Sequence, residues 1–71
     1  MFKYILFLQL CSAVDNVCFE EIKFPKEFTS HYECGLNGYK SSISIFEGIN
    51  KDTVNSKKLF VTFYCIENEM L

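Results

Sequence analysis

Met1–Ala13 reads MFKYILFLQLCSA, and its use decides the fold, the redox setting and the number of cysteines that remain. Lys3 supplies a positive start, Tyr4–Leu10 is apolar except for Gln9, and Cys11-Ser12-Ala13 are all small. That order is the pattern of a secretory signal, with Cys11 and Ala13 at the positions where signal peptidase needs small side chains. On this reading 1–13 is a signal peptide cut before Val14, and 14–71 is a small β-rich secreted domain. The segment is short, since such signals usually run about 15–30 residues.

The competing use is a buried strand of a reduced cytosolic domain. Phe2, Tyr4, Leu6, Leu8 and Leu10 would line one face, and Ile5 and Phe7 the other. A membrane-spanning helix is excluded, because about 20 apolar residues are needed. A lipid-modified Cys11 fits poorly, with Leu10 where a small residue belongs.

Working outward, the chain has 71 residues, enough for one small domain. Apolar residues make up 49%, with eight Phe and four Tyr, so the chain is not a disordered tail but is rich in β formers. Net charge is −2, and no arginine is present. Arginine is the usual reader of phosphate and guanine edges, so the composition speaks against nucleic acid as a partner. Lys51, Lys57 and Lys58 make only a sparse basic cluster.

Beyond Ala13 a period of two is commoner than 3.6. Cys18–Phe24 alternates until Pro25 blocks it, with one short helical turn allowed around Phe19–Phe28. Phe28–Cys34 reads as a strand, Gly35-Leu36-Asn37-Gly38 as a tight turn, and Tyr39–Glu47 as a further strand with Ile43 and Ile45 on one face. Gly48–Lys57 is polar and aperiodic, a long exposed loop. Lys58–Ile66 is apolar on both faces, which suits a strand at the centre of a sheet or under a cover. The expected fold is therefore small and all-β, or a β-rich α+β variant, with an antiparallel sheet of about four short strands stapled by a disulfide.

Cleavage leaves Cys18, Cys34 and Cys65 as disulfide candidates. Cys34–Cys65 is the first choice and Cys18–Cys65 the competitor. In a simple meander an intervening strand would hold Cys34 and Cys65 about 10 Å apart, beyond disulfide reach. One thiol is left over, which points either to a disulfide-linked dimer or to a buried free cysteine.

His31-Tyr32-Glu33-Cys34 is a single H-x-x-C pair, whereas a zinc site needs a second pair. His31 is the only histidine, and no nucleophile, base and acid converge in the pattern. No catalytic residue, cofactor site or metal site is expected. The expectation is a secreted protein that binds another protein, with no membrane contact in its mature form. Lys51, Asp52 and Lys57 would lie on the contact loop, one form being an inhibitor offering a lysine to a trypsin-like protease. The alternatives are a structural protein linked through an odd cysteine, the reduced cytosolic domain, and a fragment or an open reading frame without a selected function.

Overall fold

The computed structural model describes residues 2–69. Met1, Met70, Leu71 and the side chains of Phe2 and Glu69 lie outside that description, and Met1 and the Phe2 side chain belong to the expected export segment. The chain is α+β: a four-stranded antiparallel sheet, two helices and two disulfides. Strand β1 is Phe2–Ser12, β2 is Val17–Cys18 and β3 is Ile22–Lys23. Helices α1 (His31–Glu47) and α2 (Lys51–Lys57) follow, and β4 (Leu59–Glu69) closes the sheet.

Every strand pairs with β1. Along one edge β4 runs antiparallel to it over eleven residue pairs, from Phe2↔Glu69 to Ser12↔Leu59. Along the other edge β2, β3 and an isolated bridge at Phe28 take up successive parts of β1, through Cys11↔Cys18, Phe7↔Lys23 and Tyr4↔Phe28. In this uncleaved chain, residues 2–12 are the central strand that the pattern offered as its second use. Export signal and central strand are mutually exclusive uses within one mature molecule.

Alternation on β1 and β4 sorts the side chains into two layers. Leu6 and Leu8 are buried and join Phe28 and Cys34 in the core, with Tyr4, Phe24, Ile45, Val61, Phe63 and Cys65 packed around them. Helix α1 covers this face of the sheet. The Cys34–Cys65 disulfide ties it to β4 over a separation of 31 residues. Closing a loop of that length contributes about 3–4 kcal/mol in the chain-entropy model. Helix and strand lie in different layers, so the bridge needs no neighbouring strands, and the meander objection falls with the strand reading of Cys34.

The strands expected at Phe28–Cys34 and Tyr39–Glu47, with a turn between them, are corrected to one helix, α1. Three local features carry it. Ser30 is the N-cap, its Oγ accepting the Glu33 N–H at 3.1 Å, so Ser30-x-x-Glu33 starts a helix. The buried Cys34 and Gly38 and the half-buried Ile45 recur at helical spacing. Gly38, which looked like a turn residue, instead lets the helix approach the Phe63 ring: a Cβ there would overlap that ring. The expected loop Gly48–Lys57 is corrected as well. It contains α2, whose N-cap Asn50 accepts the N–H of Asp52 at 2.8 Å.

Two measurements check this account. The fragment Val14–Leu71, lacking the strand to which all others pair, is expected to show no cooperative urea transition; a cooperative unfolding curve would show that β1 is dispensable. Gly38→Ala is expected to cost about 1–3 kcal/mol in the full oxidised chain, the usual penalty of overpacking. An unchanged or raised urea midpoint, as helix propensity alone would give, would contradict the close contact with Phe63.

Candidate functional site

The side chains that sequence reasoning singled out do not converge. Cys18 pairs with Cys11 across the β1–β2 hairpin, and Cys34 pairs with Cys65. All four cysteines of the uncleaved chain are thereby used, and no thiol remains for a covalent link between chains. The odd thiol expected from the sequence follows only if Cys11 is lost. His31 opens α1 and meets Tyr4 edge to face at 5.9 Å.

Lys51, Asp52 and Lys57 lie on α2 and not on an extended loop. Lys57 pairs with Asp15 at 3.4 Å, and its carbonyl accepts the Ser12 hydroxyl at 2.9 Å. Ser12 in turn accepts the Asp15 N–H at 3.2 Å. These contacts hold the hairpin turn, where Asn16 takes a positive φ of 56°, against the end of α2. They are a structural use of Lys57, which the sequence offered for contact.

What the structure does assemble is apolar surface. The side of α1 turned to the sheet carries small residues at Cys34, Gly38 and Ser41, with Ile45 its one large apolar contributor. Tyr32, Leu36, Tyr39, Ile43 and Phe46 instead form a stripe with spacings of 4, 3, 4 and 3, the seam spacing of a helix that meets another element. All five are exposed, Tyr32 at 74%, Tyr39 at 66% and Ile43 at 60%. At about 200 Å² for a full aromatic side chain, the stripe shows on the order of 500 Å² of side-chain surface. That matches the largest apolar patches of ordinary monomers, which are often functional. The large apolar side of this helix thus lies beside its own core rather than in it, with Tyr39 packing back edge to face on Phe63 at 4.8 Å.

The stripe borders the free edge of β4. Ile43 and Phe46 face Leu59, Phe60 and Val61 across an open apolar groove. Further along, Gly35 and Tyr39 stand over Val61 and Phe63. The opposite face of the sheet is uncovered by any helix. There Ile5 and Phe7 lie beside the exposed Phe60, Tyr64 and Ile66, with Phe7 stacked on Tyr64 at 5.3 Å.

The Tyr64 hydroxyl donates to the Glu21 carboxylate, and that hydrogen bond pushes its phenol above the usual value. Tyr4 is raised in the same way by donating to Glu67 at 3.1 Å. Both bonds tie the sheet's margins together through neutral phenols.

Among the described residues no group of His, Cys, Asp and Glu is placed to hold a metal ion, and no helix is long and apolar enough to cross a membrane. The two disulfides fit an oxidising environment. Comparison with protein-family models, with curated proteins and with solved structures finds no match.

The stripe was readable in principle. Tested at a period of 3.6, 32/36/39/43/46 stands out, but Ile43-Ser44-Ile45 offered a more conspicuous alternation and two glycines suggested a turn. Exposure separates the two sets of α1 residues by measurement. Ile43→Ser is expected to change monomer stability by less than about 0.5 kcal/mol, as exposed substitutions do. Ile45→Ala, against the core, is expected to cost about 2–3 kcal/mol. Equal losses at the two positions in urea titrations would show that the stripe is not free.

Proposed function

We propose that the protein is a small extracellular binding module that keeps residues 2–12 as its central strand, without catalysis, and docks a protein partner through the exposed stripe of α1. The carrying observation is the inverted helix: its small residues lie against the sheet while Tyr32, Leu36, Tyr39, Ile43 and Phe46 face outward. Burying an apolar surface of that size is the main driving force available to a chain this small. Aromatic side chains are also the commonest anchors of protein interfaces. Two disulfides support an extracellular setting, because thiols in the cytosol are kept reduced. A rigid, stapled scaffold suits this use, since a preordered helix loses less entropy on binding.

A photo-crosslinking amino acid at Ile43, compared with the same group at Lys40 on the polar side of α1, tests the reading. In the full oxidised, uncleaved chain, Ile43 is expected to give a discrete protein adduct and Lys40 none. Equal labelling at both positions, or none at either, would remove the stripe as the docking surface.

A further inference from the structure

Strand β4 is built like an interior strand but sits at an edge. Every residue from Leu59 to Ile66 except Thr62 is apolar, and no Pro, Lys or other charge blunts that run. Edge strands are normally protected by such devices. The hydrogen-bond phase fixes which of its backbone groups are free. Ala13 N–H donates to the Lys58 carbonyl, while on the other side of β1 Tyr4 exchanges bonds with Phe28, and the Leu6 and Leu10 carbonyls accept the N–H groups of Phe24 and Phe19. Odd-numbered residues of β1 therefore bond to β4. By antiparallel alternation the N–H and C=O groups of Leu59, Val61, Phe63, Cys65 and Glu67 point outward from the sheet. No hydrogen bond among the described residues takes them up.

We propose that this edge pairs antiparallel with β4 of a second copy of the chain, joining two four-stranded sheets into one and placing the two α1 helices side by side on it. The proposal rests on the reading of the α1 stripe as a docking surface and adds its occupant. The five outward residues are symmetric about Phe63. Centring a two-fold axis there sets Leu59 against Glu67 of the second copy, Val61 against Cys65, and Phe63 against itself. All five are then used, with about ten backbone hydrogen bonds formed. A slip of one residue would turn each copy's apolar set to the wrong face.

Charge agrees with this register. β4 is preceded by Lys57 and Lys58 and carries Glu67 near its other end. Antiparallel self-pairing brings the Lys57-Lys58 end of one β4 to the Glu67 end of the other, twice by symmetry, with Lys58 itself opposite Asn68, whereas a parallel arrangement would set like ends together. On the open face it sets Phe60 opposite Ile66 and Thr62 opposite Tyr64, pairs that favour a sheet.

Helix spacing agrees as well. α1 packs against both β4 and β1. With strands about 4.8 Å apart, a helix lying over the gap between them stands about 2.4 Å inside β4, and so about 5 Å from an axis half a spacing beyond it. The two copies of α1 then lie about 10 Å apart, at the upper end of the range of about 8–10 Å at which helices pack. The strand edge, the groove and the α1 stripe together offer what an interface of about 800 Å² per partner needs. Growth stops at two copies, because the other sheet edge is broken into two-residue strands and followed by Pro25.

Sedimentation velocity on the full oxidised chain, from 1 to about 500 µM in 0.15 M salt, tests the proposal. The expected result is a reversible rise from 8.3 kDa toward twice that mass. Lys58→Glu and Glu67→Lys are each expected to weaken the dimer about threefold, and together to restore it to within about twofold, since oppositely charged strand ends meet across the interface. Ile43→Glu is expected to weaken it at least as much.

A monomer throughout the range overturns the proposal. A dimer indifferent to all four variants overturns this arrangement of it. If the crosslinker at Ile43 captures a different protein while the chain sediments as a monomer, the docking surface stands and the second copy is excluded. If there is neither adduct nor dimer, both readings fall.

Discussion

The ladder between β1 and β4 is the constraint on which the rest depends. It joins the two ends of the chain over eleven residue pairs and is the longest contact in the molecule. Strands so far apart in sequence carry a high closure entropy, so the intervening chain must be ordered for the pairing to hold. It is ordered in steps. Cys11–Cys18 and the Ser12–Asp15–Lys57 contacts fix one end of the ladder, and Cys34–Cys65 clamps α1 across it. Each staple adds a few kcal/mol in the loop-entropy model, which matters because a chain of this size buries too little surface to be secure by packing alone.

Much of this order was legible in residues of strong local character. Lys58–Ile66 reads as a strand apolar on both faces and is one. Phe2–Leu10 alternates as a strand, the second use the pattern offered beside an export signal, and forms one in the uncleaved chain. Cys34–Cys65 was the first choice of bridge and is formed. What the pattern hid was α1. Gly35 and Gly38 each disfavour a helix by about 1 kcal/mol relative to alanine, and Ile43-Ser44-Ile45 imitates a strand. Tertiary contact overrides both signals, because Gly38 is needed where Phe63 presses on the helix and Cys34 is held by its bridge. The Ser30 cap was visible in the residues, but it becomes decisive only once the strand reading is set aside. The surface stripe was hidden for the same reason, since it exists only at a helical period.

The apparent conflict in β4 is the most informative feature of the molecule. Its composition asks for two neighbours and two covered faces, and its own chain supplies one neighbour and one cover. α1 repeats the mismatch, with small residues inside and large ones outside. Two independent elements with surplus apolar surface at one margin of the sheet are harder to attribute to chance than either alone.

A surface-to-volume argument sharpens the point. Few side chains of a small domain can be fully buried, and here the completely covered ones reduce to Leu6 and Cys34, with Leu8, Cys11 and Phe28 close behind. A chain that is 49% apolar therefore has to leave apolar groups outside, and scattered exposure of that kind needs no explanation. Val14, Val17, Phe19 and Ile22 are exposed in that scattered way, and Phe60, Tyr64 and Ile66 lie on the open sheet face. Tyr32, Leu36, Tyr39, Ile43 and Phe46, by contrast, lie in register along one side of α1, while Glu33, Asn37, Lys40, Ser44 and Glu47 take another. Ordered exposure on a stapled scaffold gives a patch whose burial requires little reorganisation. In a chain this short, that is the most direct physical route from sequence to a specific interaction.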